Sequence, residues 1–221
     1  MDWTRQIDIY CERTGPGLWA EPLNAVTNPA FLLAAVVMWR RVESRSARIL
    51  CAILFAIGIG SGLFHTTATL WASVADTLPI GVFILVYLFL VNRDGLGLRW
   101  PWALAATALF FPFAAAVVPV IDRMPFVRIS GAYWLVPLLL FAYGAGLWRG
   151  RPRLARGLVA GGLLLSVSIT LRSLDLMLCA TWGIGTHFLW HLLNAVMLGW
   201  MIHVHETRAR RDGAVPGPGG A

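Results

Sequence analysis

Five residues in an otherwise apolar chain have types and spacings that could do chemistry. Ser61 and His65 lie four apart, Asp76 follows eleven residues on, and His187 and His191 are again four apart. An i, i+4 pair on a helix shares one face. Three imidazoles are the number of protein ligands a hydrolytic zinc ion takes, its fourth position being left for the water whose pKa it lowers. The His187/His191 pair has the spacing of a helical zinc-protease site, but Phe188 stands where that motif carries its glutamate. The general base must come from elsewhere, and Asp76 is the candidate. Ser61 has two uses open to it: donating to the oxygen that turns negative in a tetrahedral intermediate, or bonding back to the carbonyl four residues earlier.

Such residues need helices to hold them, and the composition says where those helices lie. Of 221 residues 58% are hydrophobic and 13% charged, which places the chain among membrane proteins. Apolar runs at 24–40, 48–70, 76–92, 101–121, 131–148, 154–179 and 184–204 predict an all-α integral membrane protein, a bundle of seven transmembrane helices in a single domain covering 1–205. Asn24 and Asn28 shorten the first span. Residues 206–221, rich in Arg and then in Gly and Pro, read as a disordered cytoplasmic tail. Residues 1–22 are polar and mixed, so the first apolar run reads as a span and not as a cleaved signal.

The net charge of +7 comes from 18 basic residues that are all arginine. They punctuate apolar runs and form no continuous basic face, so nucleic acid is not the expected partner. Arg40, Arg41, Arg45, Arg48, Arg93, Arg99, Arg149, Arg151, Arg153, Arg156, Arg208, Arg210 and Arg211 fall on one side of the predicted membrane, against Arg5, Arg13, Arg123 and Arg128 on the other. The positive-inside rule then puts the amino terminus outside and the carboxy terminus in the cytoplasm. Ser61, His65, Asp76, His187 and His191 all reach the outer half. His203 and His205 fall at the opposite end, too far away to join them. The lysine-free composition leans toward a bacterial source, hence an inner membrane with the site toward its periplasmic half.

Arg172 and Asp175, three apart in the sixth span, are expected to pair with each other, although Asp175 could also orient a ligand histidine. Cys11 and Cys179 fall on the outer side, where a disulfide is feasible; Cys51 lies at the other end as packing.

The pattern Ser61-x3-His65, Asp76 and His187-x3-His191, with Asp8-Ile9-Tyr10-Cys11-Glu12-Arg13 and Glu21-Pro22-Leu23-Asn24 near the amino terminus, resembles the alkaline ceramidase family and the wider superfamily of seven-span hydrolases that includes adiponectin-receptor-like proteins. The resemblance implies a zinc amidohydrolase that cleaves ceramide to sphingoid base and fatty acid. It assigns His65, His187 and His191 to zinc, Asp76 to activating water, and Ser61 to the metal or oxyanion. It also implies a calcium ion on the acidic segment, with Asp8, Glu12 and Glu21 as the nearest matches; the acidic spacing differs from the family's, and Arg13 stands where the family tends to have another acid.

Two further readings share these residues. One is hydrolysis of another N-acyl lipid. The other is a receptor or regulator without catalysis, its zinc bracing the helices; direct ligation by Asp76 would favour it, since structural zinc sites are closed by a fourth protein ligand. Oligomeric state is not encoded in any recognisable pattern.

Overall fold

The computed structural model describes residues 2–211. Nine α-helices make up most of it: α1 (Pro22–Thr27), α2 (Pro29–Trp39), α3 (Arg45–Thr67), α4 (Leu70–Leu90), α5 (Trp100–Ala108), α6 (Phe110–Ile121), α7 (Leu135–Leu147), α8 (Pro152–Leu178) and α9 (His187–Arg211). Among the described residues there is no strand, only an isolated bridge between Gln6 and Thr69. The chain is all-α.

The nine helices fall into seven rods that follow the predicted spans in order. Two spans are broken. The first splits at Asn28, because Pro29 has no N–H to continue α1 and instead opens α2. The fourth divides at Leu109 into α5 and α6. Five stretches are long and apolar enough to cross a membrane: Pro22–Trp39, Arg45–Thr67, Leu70–Gly95, Trp100–Ile121 and Pro152–Leu178. Gly131–Leu147 is shorter, with its first residues in a tight 3-10 turn ahead of α7. Its buried histidines dilute the apolarity of α9, which is not one of the five.

The rods close into a ring, with α2 against α3 and α9, α3 against α4, α7 against α8, and α8 against α9. Leu50, Leu54 and Ile57 of α3, Leu158 and Ile169 of α8, and Ile202 of α9 are fully buried at its centre. Small residues permit the closest approaches: a side chain at Gly157 or Gly161 of α8 would strike Val204 or Met201 of α9.

Helix α9 continues to Arg211, past the expected boundary at His205. Glu206 accepts hydrogen bonds from Glu43 N–H (2.9 Å) and the Ser44 hydroxyl (2.6 Å), and Arg208 pairs with Asp94 at 3.2 Å. Those ties give the basic end of the helix partners that its composition does not reveal. Residues 212–221 of the predicted tail lie outside the described residues. Cys51 is free and buried, and His205 bonds Ser46 at 2.7 Å, at the opposite end of α9 from His187 and His191.

One contact fixes the two walls of the site. Pro79, inside α4, has no N–H to offer the Ala75 carbonyl one turn back, and that carbonyl lies against Gly60 of α3, where any Cβ would collide with it. Ser61 and Asp76 are the next residues on their helices, so this approach brings them together. The turn between α3 and α4 is equally tight: Ala68 adopts a left-handed conformation (φ 45°), and its carbonyl accepts from Ile7 N–H at 2.7 Å while Leu70 N–H donates to Arg5 at 3.0 Å. The amino-terminal segment thus straps across the top of both helices. Gly60→Ala should force α4 away and lower stability by about 1–3 kcal/mol, read as a lower unfolding midpoint in detergent; an unchanged midpoint would mean the contact does not hold the helices.

Candidate metal centre and its surroundings

His65, on the last turns of α3, and His187 and His191, on the first turns of α9, are all buried, and each offers a ligand atom within 4.8 Å of the others. Among the described residues this is the one group of histidine, cysteine or acidic side chains able to hold a metal ion. The side chains around it fix which nitrogen of each ring is available. His65 Nδ1 lies 2.6 Å from Glu21 Oε2, so it carries the proton and leaves the Nε2 lone pair free. The Thr27 hydroxyl gives its only proton to the carbonyls of Leu23 (2.7 Å) and Asn24 (3.0 Å), and it therefore accepts from His191 Nδ1 at 2.9 Å. His191 Nε2 is left with a lone pair too. The two Nε2 atoms stand 3.0 Å apart, an opposition that a cation between them relieves. His187 Nδ1 is buried without a hydrogen-bond partner. The donor set, the oriented lone pairs and the orphaned nitrogen fit a metal ion.

Glu21 is held by more than His65. It pairs with Arg13 and accepts from Asn24 Nδ2 at 3.0 Å, and Arg13 also donates to the carbonyls of Gly15 (2.8 Å) and His65 (3.4 Å). Burial pushes the Glu21 carboxyl up, but the bonds from His65, Arg13 and Asn24 outweigh it and keep it below the ordinary glutamate range.

The three acids expected to share a calcium ion are not brought together. Glu12 is buried and caps α1, accepting from the N–H groups of Leu23 (2.6 Å) and Asn24 (2.8 Å). Asp8 is exposed, and the charge of Glu21 is met by Arg13 and His65. Nor do Arg172 and Asp175 pair. Both Asp175 oxygens are taken by backbone: Oδ1 accepts from Thr186 (2.7 Å) and His187 (2.9 Å), Oδ2 from Cys11 (2.8 Å). It orients His187 through the start of α9 and not through the imidazole. Gly185 makes this possible, since its φ of 63° and its closeness to Asp175 exclude a side chain. Arg172 turns the other way, with its guanidinium 4.9 Å from the Tyr133 ring, 5.8 Å from Trp190 and 5.9 Å from Tyr10, and bonded to Ser130 at 3.1 Å. Cys11 and Cys179 form a disulfide beside this junction.

Tyr10 and Thr27 carry no signal in the sequence alone. Tyr10 stacks on His187 with ring centroids 3.7 Å apart, and only the folded strap places it there. Glu21 had a signal, an acid directly before an apolar helix, but its partner lies 44 residues away.

Ser61 and Asp76 stand beside the centre and outside its donor set. They interact through their side chains, and Asp76 also feels the charge of Arg172. Both line the mouth of a cavity of about 70 Å³ walled by Phe31, Ile57, Ile80, Phe83, Leu140 and Leu198. It follows α4 from Asp76 to Leu88, about 18 Å of helix. Its lining is almost wholly apolar, which suits an alkyl chain.

A ring of apolar helices with three converging imidazoles, a carboxylate beside them and a slender apolar cavity below defines a helical membrane protein with a candidate metal centre. The chain belongs to the ceramidase family, whose family model, Ceramidase, matches residues 10–211. Membership implies a hydrolase of amide bonds with a lipid substrate such as ceramide. No curated protein matches the sequence closely enough to add to this.

Because Glu21 fixes the tautomer of His65, Glu21→Gln should weaken metal binding about 10–100-fold in a chelator competition titration. Equal affinity in the variant would remove Glu21 from that role.

Proposed function

We propose that this protein is a zinc-dependent amidohydrolase of the membrane that cleaves an N-acyl lipid, with ceramide the leading substrate. The observation that carries the reading is the placement of Asp76 beside the three histidines but outside their donor set. A centre with three protein ligands is open, as hydrolytic zinc sites are, whereas a bracing site is closed by a fourth. This weighs against the regulator reading.

When bound, zinc supplies Lewis acidity toward an amide carbonyl and a water. His65, His187 and His191 would hold it, with Glu21 and Thr27 fixing the first and last of them. Asp76 takes a proton from the attacking water as the oxygen–carbon bond forms, and returns it to the amine as the carbon–nitrogen bond breaks. Ser61, hydrogen-bonded to Asp76, steadies the carboxylate and stands within reach of the developing oxyanion. The acyl chain lies in the apolar cavity, and the base and fatty acid leave by the membrane. The apolar cavity suits an alkyl chain; it does not distinguish ceramide from other N-acyl lipids.

In this reading all seven rods cross a bacterial inner membrane, with the amino terminus outside and the site in the periplasmic half. The arginine distribution supports that orientation, as does the Cys11–Cys179 disulfide at the same end as the site, since such bonds persist in oxidising compartments. Calcium is not part of the proposal, because Glu12 and Glu21 have other partners.

The test is to purify the protein in detergent, measure bound zinc and follow fatty-acid release from a panel of N-acyl lipids. The wild type should hold zinc and release fatty acid, and Asp76→Asn should keep the zinc while losing about 10²–10⁴-fold in rate. Zinc retained with no release from any amide lipid would sink the enzyme reading.

A further inference from the structure

Asn194 is a polar residue the mechanism above does not use. It follows His187 and His191 at i+7 and i+3, on the same face of α9, one turn or about 4.5 Å further from the start of the helix. It is 6% exposed and lines the cavity that Ser61 and Asp76 open into. Its Oδ1 is buried without a hydrogen-bond partner among the described residues. The wall around it is apolar: Phe31, Met197 and Leu198 line the same cavity. A carboxamide left unpartnered in such a wall is costly, and a leucine of similar size would fill the place without that cost.

We propose that Asn194 is a specificity residue that binds a hydroxyl carried by the acyl chain close to the scissile carbonyl, so that the preferred substrates are N-acyl lipids with a 2- or 3-hydroxyacyl chain. The proposal rests on the hydrolase reading for the direction in which the substrate lies. With the carbonyl at the three imidazoles and the chain running down the cavity, a hydroxyl on the second or third carbon points deeper along α9 toward Asn194, whose side chain leans back toward the start of the helix. Under the proposed reading this cavity takes the acyl chain, so the hydroxyl that meets Asn194 is one that this chain carries. A hydroxyl both donates and accepts, so it satisfies the carboxamide whichever way the amide group is turned. An unsubstituted chain covers Asn194 and leaves it unpaired, and sites built to bond a hydroxyl discriminate against analogues that lack it.

The experiment compares two amides that differ only in their acyl group, hexadecanoyl and 3-hydroxyhexadecanoyl, with wild type, Asn194→Leu and Asn194→Gln. Wild type should favour the hydroxylated chain about three- to tenfold in kcat/KM. Asn194→Leu should lose that preference while still cleaving the plain chain, and Asn194→Gln, which carries the same group one methylene further, should alter it. A second readout does not depend on turnover: the free 3-hydroxy acid should raise the unfolding midpoint of wild type more than the plain acid does, and not that of Asn194→Leu. If no amide is cleaved the hydrolase reading fails, and the unfolding midpoints still decide for or against Asn194. Equal rates and equal midpoint shifts for the two chains in wild type would overturn the proposal, and would mean that water alone occupies Asn194. Should neither variant fold, the wild-type comparison decides by itself.

Discussion

The Glu21 carboxylate is buried where a bare charge would be untenable, and the arrangement that makes it tenable also builds the centre. Arg13 neutralises it, Asn24 donates to it, and His65 spends its Nδ1 proton on it. Removing any one of these leaves a buried group short of a partner, the condition under which polar networks become destabilising. The same bonds turn the His65 lone pair toward His191. The electrostatic need of one acid and the orientation of one imidazole are therefore a single constraint, and Arg13 supplies the positive charge internally.

The scaffold serves this constraint from two directions. From the amino terminus, the strap crosses the α3–α4 turn, stacks Tyr10 on His187 and delivers Glu12 to the start of α1. From the other side, Asp175 collects the first N–H groups of α9 and the N–H of Cys11, tying α8, α9 and the strap to one carboxylate. Between them, the meeting of Gly60 with the carbonyl that Pro79 leaves unbonded sets Ser61 beside Asp76. Backbone groups dominate these ties, which suits a place where side-chain geometry must hold to fractions of an ångström.

Much of this was legible in the sequence, and the boundary is physical. The i, i+4 spacing of His187 and His191 and the periodic apolar runs are local properties, and they located the helices and two of the three clustered histidines. His65 and Asp76 were legible because ionisable residues in apolar stretches require a reason. What failed was pairing. Arg172 and Asp175 share a helix face, but Asp175 is drawn to the unsatisfied N–H groups at the start of α9, and Arg172 to three aromatic rings from other parts of the chain. Glu21 reads equally well as a ligand for calcium or as a partner for histidine until the strap is folded. The helical end beyond His205 likewise depends on its partners Glu43, Ser44 and Asp94.

The order of the chain also carries a temporal meaning. His65 is made early, while His187 and His191 lie on the last helix, so no segment short of almost the full chain has all three imidazoles. During synthesis, which runs from the amino terminus, the first rods enter the membrane with a lone histidine held by Glu21. A partly built bundle therefore lacks the full donor set, and the three imidazoles meet only when the ring of helices closes.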